Sequence, residues 1–173
     1  MKKIVIGLLA TSLISFAHAD LDDYLPPAKL KEHTANLKTV YGGFGMTAKL
    51  VHLNGEIVTP YGIVYAKPGI FTSNDEPGIQ VGYRYPYHFT GTDQNGYYVG
   101  VYAGHTENAE IDGQRKLRLG AGIDLSYVLL SKQRLSTLSV GVGGSERIEG
   151  RYGTVKKVEP ELQFAYSLSF GIF

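Results

Sequence analysis

Two kinds of residue alternate along the C-terminal end of the chain, from Glu161 to Phe173. One set of alternate positions is apolar: Leu162, Phe164, Tyr166, Leu168, Phe170 and Ile172. The positions between them are small or polar: Glu161, Gln163, Ala165, Ser167, Ser169 and Gly171. Because successive side chains of a β-strand point to opposite faces, a period of two over this length predicts a strand with one apolar face.

The same alternation recurs upstream. In residues 79–89, Ile79, Val81, Tyr83, Tyr85, Tyr87 and Phe89 face away from Gln80, Gly82, Arg84, Pro86 and His88. In residues 117–129, Leu117, Leu119, Ala121, Ile123, Leu125, Tyr127 and Leu129 face away from Arg118, Gly120, Gly122, Asp124 and Ser126. Shorter strands are predicted at 97–105 and 138–143. Turns are predicted at 73–78, 91–96 and 131–134, and charged loops at 106–116 and 145–157.

The segment from Leu37 to Thr72 is rich in strand signals but harder to divide. Asn54-Gly55 predicts a hairpin, because both positions tolerate positive φ. A second turn is predicted at Thr59–Gly62, and the glycines at 42, 43 and 45 indicate a bend or a bulge. Counting back from the C-terminus gives seven strands, one short of an even number. The eighth comes either from dividing this segment into three or from the chain before it.

The N-terminus has the pattern of a secretory signal. Lys2 and Lys3 precede a mostly apolar run from Ile4 to Phe16, and Ala17-His18-Ala19 offers a cleavage site. The run is shorter than the roughly twenty residues that a spanning helix needs. We therefore expect cleavage before Asp20, with residues 20–36 forming a periplasmic tail or a short helix.

Composition narrows the function classes. The chain has 17 basic and 16 acidic residues, so the loss of Lys2 and Lys3 leaves it slightly acidic and argues against nucleic-acid binding. It has no cysteine, which excludes disulfides and thiol ligands, and its five histidines show no metal-ligand spacing. With 22 glycines and 13 tyrosines, it suits strands with small inner positions and interfacial aromatics. No stretch after residue 19 has the length and apolarity of a spanning helix, so a membrane span would have to be a closed barrel.

On the signal, the alternating segments and the terminal Ser169-Phe170-Gly171-Ile172-Phe173, the chain resembles the small eight-stranded outer-membrane barrel proteins of Gram-negative bacteria. The resemblance covers residues 37–173. It implies an all-β, antiparallel up-and-down transmembrane barrel in the cell outer membrane, in contact with lipid and lipopolysaccharide. It also implies that the barrel assembly machinery recognises the end of the chain, at Phe170 and Phe173. We expect a monomer without cofactors and without a nucleic-acid partner.

The loops predict an orientation. If Phe173 lies on the periplasmic side, the short links at 91–96 and 131–134 lie there too. The charged loops at 106–116 and 145–157 then fall outside, together with 73–78. Short turns inside and long loops outside are typical of bacterial barrels.

Four charged residues lie on the small or polar faces of their strands and should point into the barrel: Arg84, Arg118, Asp124 and Glu161. An eight-stranded barrel is just wide enough for side chains to fill. Because unpaired buried charge is costly, we expect an ion-paired, hydrogen-bonded plug, with a narrow ion path as the alternative. The expected role is structural or in surface interactions.

Three other readings remain open. His105, Ser145 and Asp75 near the outer rim could serve a lipid A-modifying enzyme, although a catalytic triad is defined by geometry that a sequence does not show. In the 145–157 loop, Arg147, Arg151, Lys156 and Lys157 could pair with lipopolysaccharide phosphates, or the loop could be solvated surface with mixed charge. The structural rival is a soluble β-sandwich or lipocalin-like barrel, whose apolar faces would pack together in a core.

Overall fold

The computed structural model describes residue 30 and residues 37–73, 75–90, 94–111, 114–149 and 155–173. At 107–111, 114–116, 147–149 and 155–157 the structure describes the backbone but not the side chains. The described residues form eight strands: β1 (Val40–Thr47), β2 (Leu50–Thr59), β3 (Gly62–Phe71), β4 (Pro77–Phe89), β5 (Gly96–Ile111), β6 (Gln114–Leu130), β7 (Arg134–Glu149) and β8 (Val155–Gly171). Of the predicted N-terminal tail or helix at 20–36, only Leu30 is described.

Each strand pairs antiparallel with its sequence neighbours, and β1 pairs with β8 to close the sheet. The predicted all-β, up-and-down barrel of eight strands is therefore confirmed. Both described chain ends meet at one end of the barrel, where the Phe173 carbonyl oxygen accepts hydrogen bonds from the amides of Thr39 and Val40. We call this the lower end and the opposite one the upper end. In the described ranges, no helix is long and apolar enough to cross a bilayer.

The missing strand came from dividing the Leu37–Thr72 segment into three, but the predicted hairpin at Asn54-Gly55 is wrong. Both residues lie in the middle of β2, where Gly55 pairs with Gly42 and Asn54 pairs with Gly43. The Asn54 side-chain amide points into the barrel and donates to the Phe44 carbonyl oxygen at 3.1 Å. Ladder pairing on both sides of β2 outweighed the local turn preference of the dipeptide.

The second predicted turn is confirmed, since β2 ends at Thr59 and β3 begins at Gly62. The Thr59 hydroxyl donates to the Gly62 carbonyl oxygen at 2.9 Å and accepts from the Tyr61 amide at 3.3 Å. The bend or bulge predicted at the first glycines is wrong, because β1 pairs without interruption on both sides. At Gly43 a Cβ would overlap the Leu168 carbonyl oxygen, so glycine there permits a close approach of β8.

The two predicted charged loops are mostly strand. β5 runs to Ile111 and β7 runs to Glu149, so only 112–113 and 150–154 of the two predicted loops separate strands, and the other upper connections are 48–49 and 72–76. The lower connections, 60–61, 90–95 and 131–133, are no shorter, so the predicted contrast in loop length is wrong. The asymmetry lies in strand length instead, because β5 to β8 have 16 or 17 residues and β1 to β4 have 8 to 13.

A bulge reverses the faces at the lower end of β4. The register with β5 shifts between Pro86 and His88, so His88 is exposed, whereas Phe89 packs edge-on against Tyr98 with ring centroids 6.3 Å apart. The prediction that Phe89 shares the outer apolar face is therefore wrong. One extra residue in a strand exchanges inside and outside for every residue after it.

The interior changes character along the barrel axis. At the lower end it is an apolar group that we call the lower cluster: Leu30, Tyr41, Val58, Ile63, Tyr98, Val128, Leu130 and Leu135. Leu37 and Phe89 pack against it while partly exposed. Above the lower cluster the inward positions are mostly polar.

Candidate functional site: the polar interior of the barrel

Polar side chains fill the barrel above the lower cluster because alternate residues of each strand face inward. The buried polar set is Thr47, His52, Asn54, Glu56, Lys67, Gln80, Arg84, Thr106, Asp124, Ser126, Thr137, Ser139, Ser145, Ser167 and Ser169. Such groups are stable inside a protein only when hydrogen bonds or opposite charges replace water. Their partners therefore decide what the interior can do.

Arg84 on β4 and Glu56 on β2 form the central ion pair. The Arg84 Nη1 atom lies 3.3 Å from Glu56 Oε1, and both side chains have 0% exposure. The Arg84 Nε atom also donates to Ser126 Oγ on β6 at 3.2 Å. The guanidinium carbon lies 4.1 Å from the centre of the Tyr65 ring, in cation–π geometry. From β4, Arg84 thus contacts side chains of three other strands, β2, β3 and β6, in the middle of the lumen.

Hydrogen bonds extend the central ion pair to the remaining side of the barrel. The Ser169 hydroxyl on β8 donates to Glu56 Oε2 at 2.5 Å and accepts from Asn54 Nδ2 at 3.2 Å. On the other side, Ser126 Oγ donates to Asp124 Oδ1 at 3.4 Å. Two of the four charges predicted for the interior, Arg84 and Asp124, therefore belong to one connected group. Side chains from β2, β4, β6 and β8 meet there.

A second layer crosses the lumen above the central ion pair. Gln163 on β8 donates to Gln80 on β4 at 3.0 Å, and Gln80 donates to the His105 carbonyl oxygen on β5 at 3.1 Å. The Lys67 ammonium lies 4.6 Å from the centre of the Tyr65 ring. A cavity of about 10 Å³ beside Lys67 and Gln80 has room for about one water molecule. Side chains therefore fill this level of the lumen.

Glycines in the wall make room for an aromatic filler. The Tyr102 ring lies against Gly122, Gly141 and Gly143 on β6 and β7. A Cβ at these positions would come within 2.5 to 3.2 Å of Tyr102 side-chain atoms. The inward glycines of the sequence are thus matched to a tyrosine that fills the interior, which is how a narrow barrel reaches close packing.

The other two predicted interior charges lie higher and join different partners. Arg118 pairs with Glu159 at 3.5 Å, and Glu161 pairs with Lys49 at 2.7 Å. In each of these pairs one side chain is substantially exposed. These two pairs lie at the upper rim of the barrel.

Sequence reasoning missed Glu56 and Lys67, although the signal was present. His52, Asn54 and Glu56 alternate with apolar neighbours just as Arg84 does, but the Asn54-Gly55 turn prediction interrupted the pattern. Lys67 alternates with Val64, Ala66 and Pro68 in the same way, two residues after Tyr65. Unbroken alternation from 50 to 58 would have placed Glu56 on the inner face of the barrel, although it would not have named its partner.

The residues of the enzyme hypothesis lie on different surfaces. Ser145 is buried and faces inward. His105 pairs with Leu119, which is on the outer face, and its Nδ1 accepts from the Ile79 amide at 3.2 Å. Asp75 is exposed in an upper loop at φ 58°. The barrel wall therefore separates the histidine from the serine.

The remaining predicted residues lie at the two ends. Arg151 and the side chains of Arg147, Lys156 and Lys157 lie outside the described part of the chain, so the lipopolysaccharide hypothesis stays a prediction. Phe170 and Phe173 are exposed at the lower end. In the described part of the chain, no three His, Asp or Glu side chains form a group that could hold a metal ion.

No protein-family model, curated protein or solved structure matches the chain significantly. Function must therefore be argued from the barrel itself.

Proposed function

We propose that this protein is an integral outer-membrane β-barrel with a structural or surface-interaction role and a side-chain-filled, non-conducting interior. The observation that carries the proposal is the polarity of the barrel, which is apolar outside and, above the lower cluster, polar and ion-paired inside. A barrel that functions in water has the opposite arrangement.

The outer wall is suited to lipid. Large apolar side chains project from every strand, and Leu53 and Leu138 are 66% and 63% exposed. At about 25 cal/mol for each Å² of apolar surface, leaving such a wall in water would be costly and would promote aggregation. The polar interior also argues against the soluble lipocalin-like alternative, which needs an apolar core.

Tyrosines gather on the outer wall at the lower end. Tyr87, Tyr97 and Tyr127 lie there, and the last two pack edge to face with ring centroids 5.1 Å apart. The exposed Tyr61 sits in the turn between β2 and β3. Aromatic side chains with a polar tip favour the boundary between hydrocarbon and water. This group fits a membrane interface at the lower end.

Strand length supports a role at the surface. A tilted strand crosses the hydrocarbon core in about 9 to 11 residues, whereas β5 to β8 have 16 or 17. About six residues of each would rise above the membrane at the upper end. Backbone positions 147, 156 and 157 belong to these long strands. The predicted lipopolysaccharide contacts at Arg147, Arg151, Lys156 and Lys157 are therefore part of this proposal, because basic side chains suit anionic lipid headgroups. We further propose that the barrel assembly machinery recognises the chain end at Phe170 and Phe173.

The filled lumen supports a non-conducting barrel over a pore. The central ion pair, the Gln80–Gln163 bridge and the lower cluster each occupy the cross-section at a different level. Unpaired charge is expensive in such an interior, so the pairing favours a permanent plug.

Membrane fractionation and planar-bilayer recording test the proposal together. We expect the protein to partition with outer membranes, to require detergent and to migrate differently on a gel before and after heating. The purified barrel should give no resolved single-channel steps. Recovery in the periplasmic fraction would refute the membrane assignment, and clear conductance steps would refute the filled interior.

A further inference from the structure

The lower cluster contains one residue that does not belong to the barrel wall. Leu30 lies ten residues before the start of β1, yet its side chain is only 3% exposed. Its neighbours in the cluster are inward residues of the wall, so Leu30 adds an apolar side chain to the lower mouth from outside the sheet.

Wall residues surround this position from many strands. Tyr41, Val58, Ile63, Tyr98 and Val128 come from β1, β2, β3, β5 and β6, and Leu130 and Leu135 from β6 and β7. All seven are buried. An apolar ring of this kind excludes water only when its centre is filled. Leu30 belongs to this cluster although it does not lie in a strand.

The chain between Leu30 and β1 is fixed at its end. The Tyr41 hydroxyl accepts from the Lys38 amide at 3.2 Å and donates to the Ser131 carbonyl oxygen at 2.8 Å, across to the link between β6 and β7. Leu37 packs against the lower cluster. These contacts hold the described residues just before β1 at the lower end of the barrel.

We propose that Leu30 is a stopper, whose side chain closes the lower mouth of the barrel from outside the sheet. The mouth is an apolar receptor and Leu30 is its occupant. This seal is separate from the central ion pair, so the lumen is closed twice, once by apolar packing and once by charge. The proposal concerns solvent access to the mouth and holds whether or not the barrel conducts ions.

The cysteine-free chain allows a direct test by thiol labelling. Leu30→Cys introduces a single thiol, and Tyr61→Cys places a matched thiol at the lower end on a residue that is 71% exposed. In the folded protein, a water-soluble maleimide should label the Leu30→Cys thiol at least about thirtyfold more slowly than the Tyr61→Cys thiol, because it reacts only after local opening. In denaturant the two rates should be equal. Folded-state rates within about threefold would overturn the proposal.

A reporter in the wall keeps the test valid if Leu30→Cys itself disturbs the mouth. Val128→Cys places the thiol on a fully buried wall residue, with Leu30 intact. Combining it with Leu30→Gly should accelerate its labelling at least about tenfold, while the heat-dependent gel shift of the folded barrel is retained. An unchanged rate in the folded double variant would show that Leu30 does not close the mouth.

Discussion

The central ion pair gives the sharpest prediction about stability. Replacing Arg84 by Met removes the cation from a site where both partners have 0% exposure and leaves the Glu56 carboxylate without its counter-charge. Breaking a buried pair from one side typically costs about 3 to 5 kcal/mol. The Arg84→Met substitution also removes the hydrogen bond to Ser126 and the contact with the Tyr65 ring. We therefore expect the folded-to-unfolded ratio to fall by roughly two to three and a half orders of magnitude.

The assay is urea unfolding of the barrel in detergent or lipid vesicles, followed by the gel shift and by circular dichroism, since the chain has no tryptophan. Lys49→Met is the matched control, because its ion pair with Glu161 is partly exposed at the upper rim. A pair of that kind contributes about 0 to 1 kcal/mol.

A second variant separates loss of the pair from loss of packing. Adding Glu56→Gln to Arg84→Met removes the buried uncompensated charge while keeping a side chain that can accept from Ser169. We expect the double variant to recover at least about half of the lost free energy of unfolding. If Arg84→Met costs no more than Lys49→Met, or if the second substitution makes the loss worse, the central ion pair is not the plug described above.

Three further predictions follow from the wall. A Cβ at Gly43 overlaps the backbone of β8 whereas one at Gly55 meets nothing, so Gly43→Ala should destabilise the barrel by about 1 to 3 kcal/mol and Gly55→Ala by less than about 0.5 kcal/mol; equal effects in urea unfolding would contradict the close approach of β1 and β8 at Gly43. Ile123→Arg on the outer wall should cost about 2 to 4 kcal/mol in lipid vesicles and Val158→Arg, near the upper end, about 0 to 1 kcal/mol; similar costs would argue against a bilayer around β6. Tyr41→Phe removes the hydrogen bond to the Ser131 carbonyl oxygen and should cost about 1 kcal/mol in the same assay; an unchanged urea midpoint would show that this bond does not hold the lower end.

The sequence predicted the fold class well where alternation was long. The segments around Arg84, Asp124 and Phe164 each show which residues share a face, because a strand repeats every two residues. The same regularity, with both chain ends at one end of the barrel, required an even number of strands. The eighth strand could be inferred by counting even though its position was not known.

Most of the errors in the predicted strand boundaries share one cause. Asn54-Gly55, the glycines of β1 and the charged segments after Thr106 and Ser145 all carry local signals for turns or loops, and pairing with neighbouring strands overrode them. The error at Phe89 has a different cause, because the bulge between Pro86 and His88 exchanges the faces of β4 and nothing in the local sequence announces it. Local propensities are weaker than the free energy of completing a ladder of backbone hydrogen bonds.

By itself, the sequence determined that this chain forms long strands with one apolar face. It also determined that Arg84 and Asp124 each lie on the small or polar face of their own strand. Only the tertiary structure decided that Glu56 meets Arg84 and that Leu30 lies in the lower mouth. It also decided that Arg118 and Glu161 have other partners at the upper rim, Glu159 and Lys49. The reason is physical. Which face a residue takes follows from its own strand, whereas its partner across the lumen depends on the register of eight strands and the closure of the barrel.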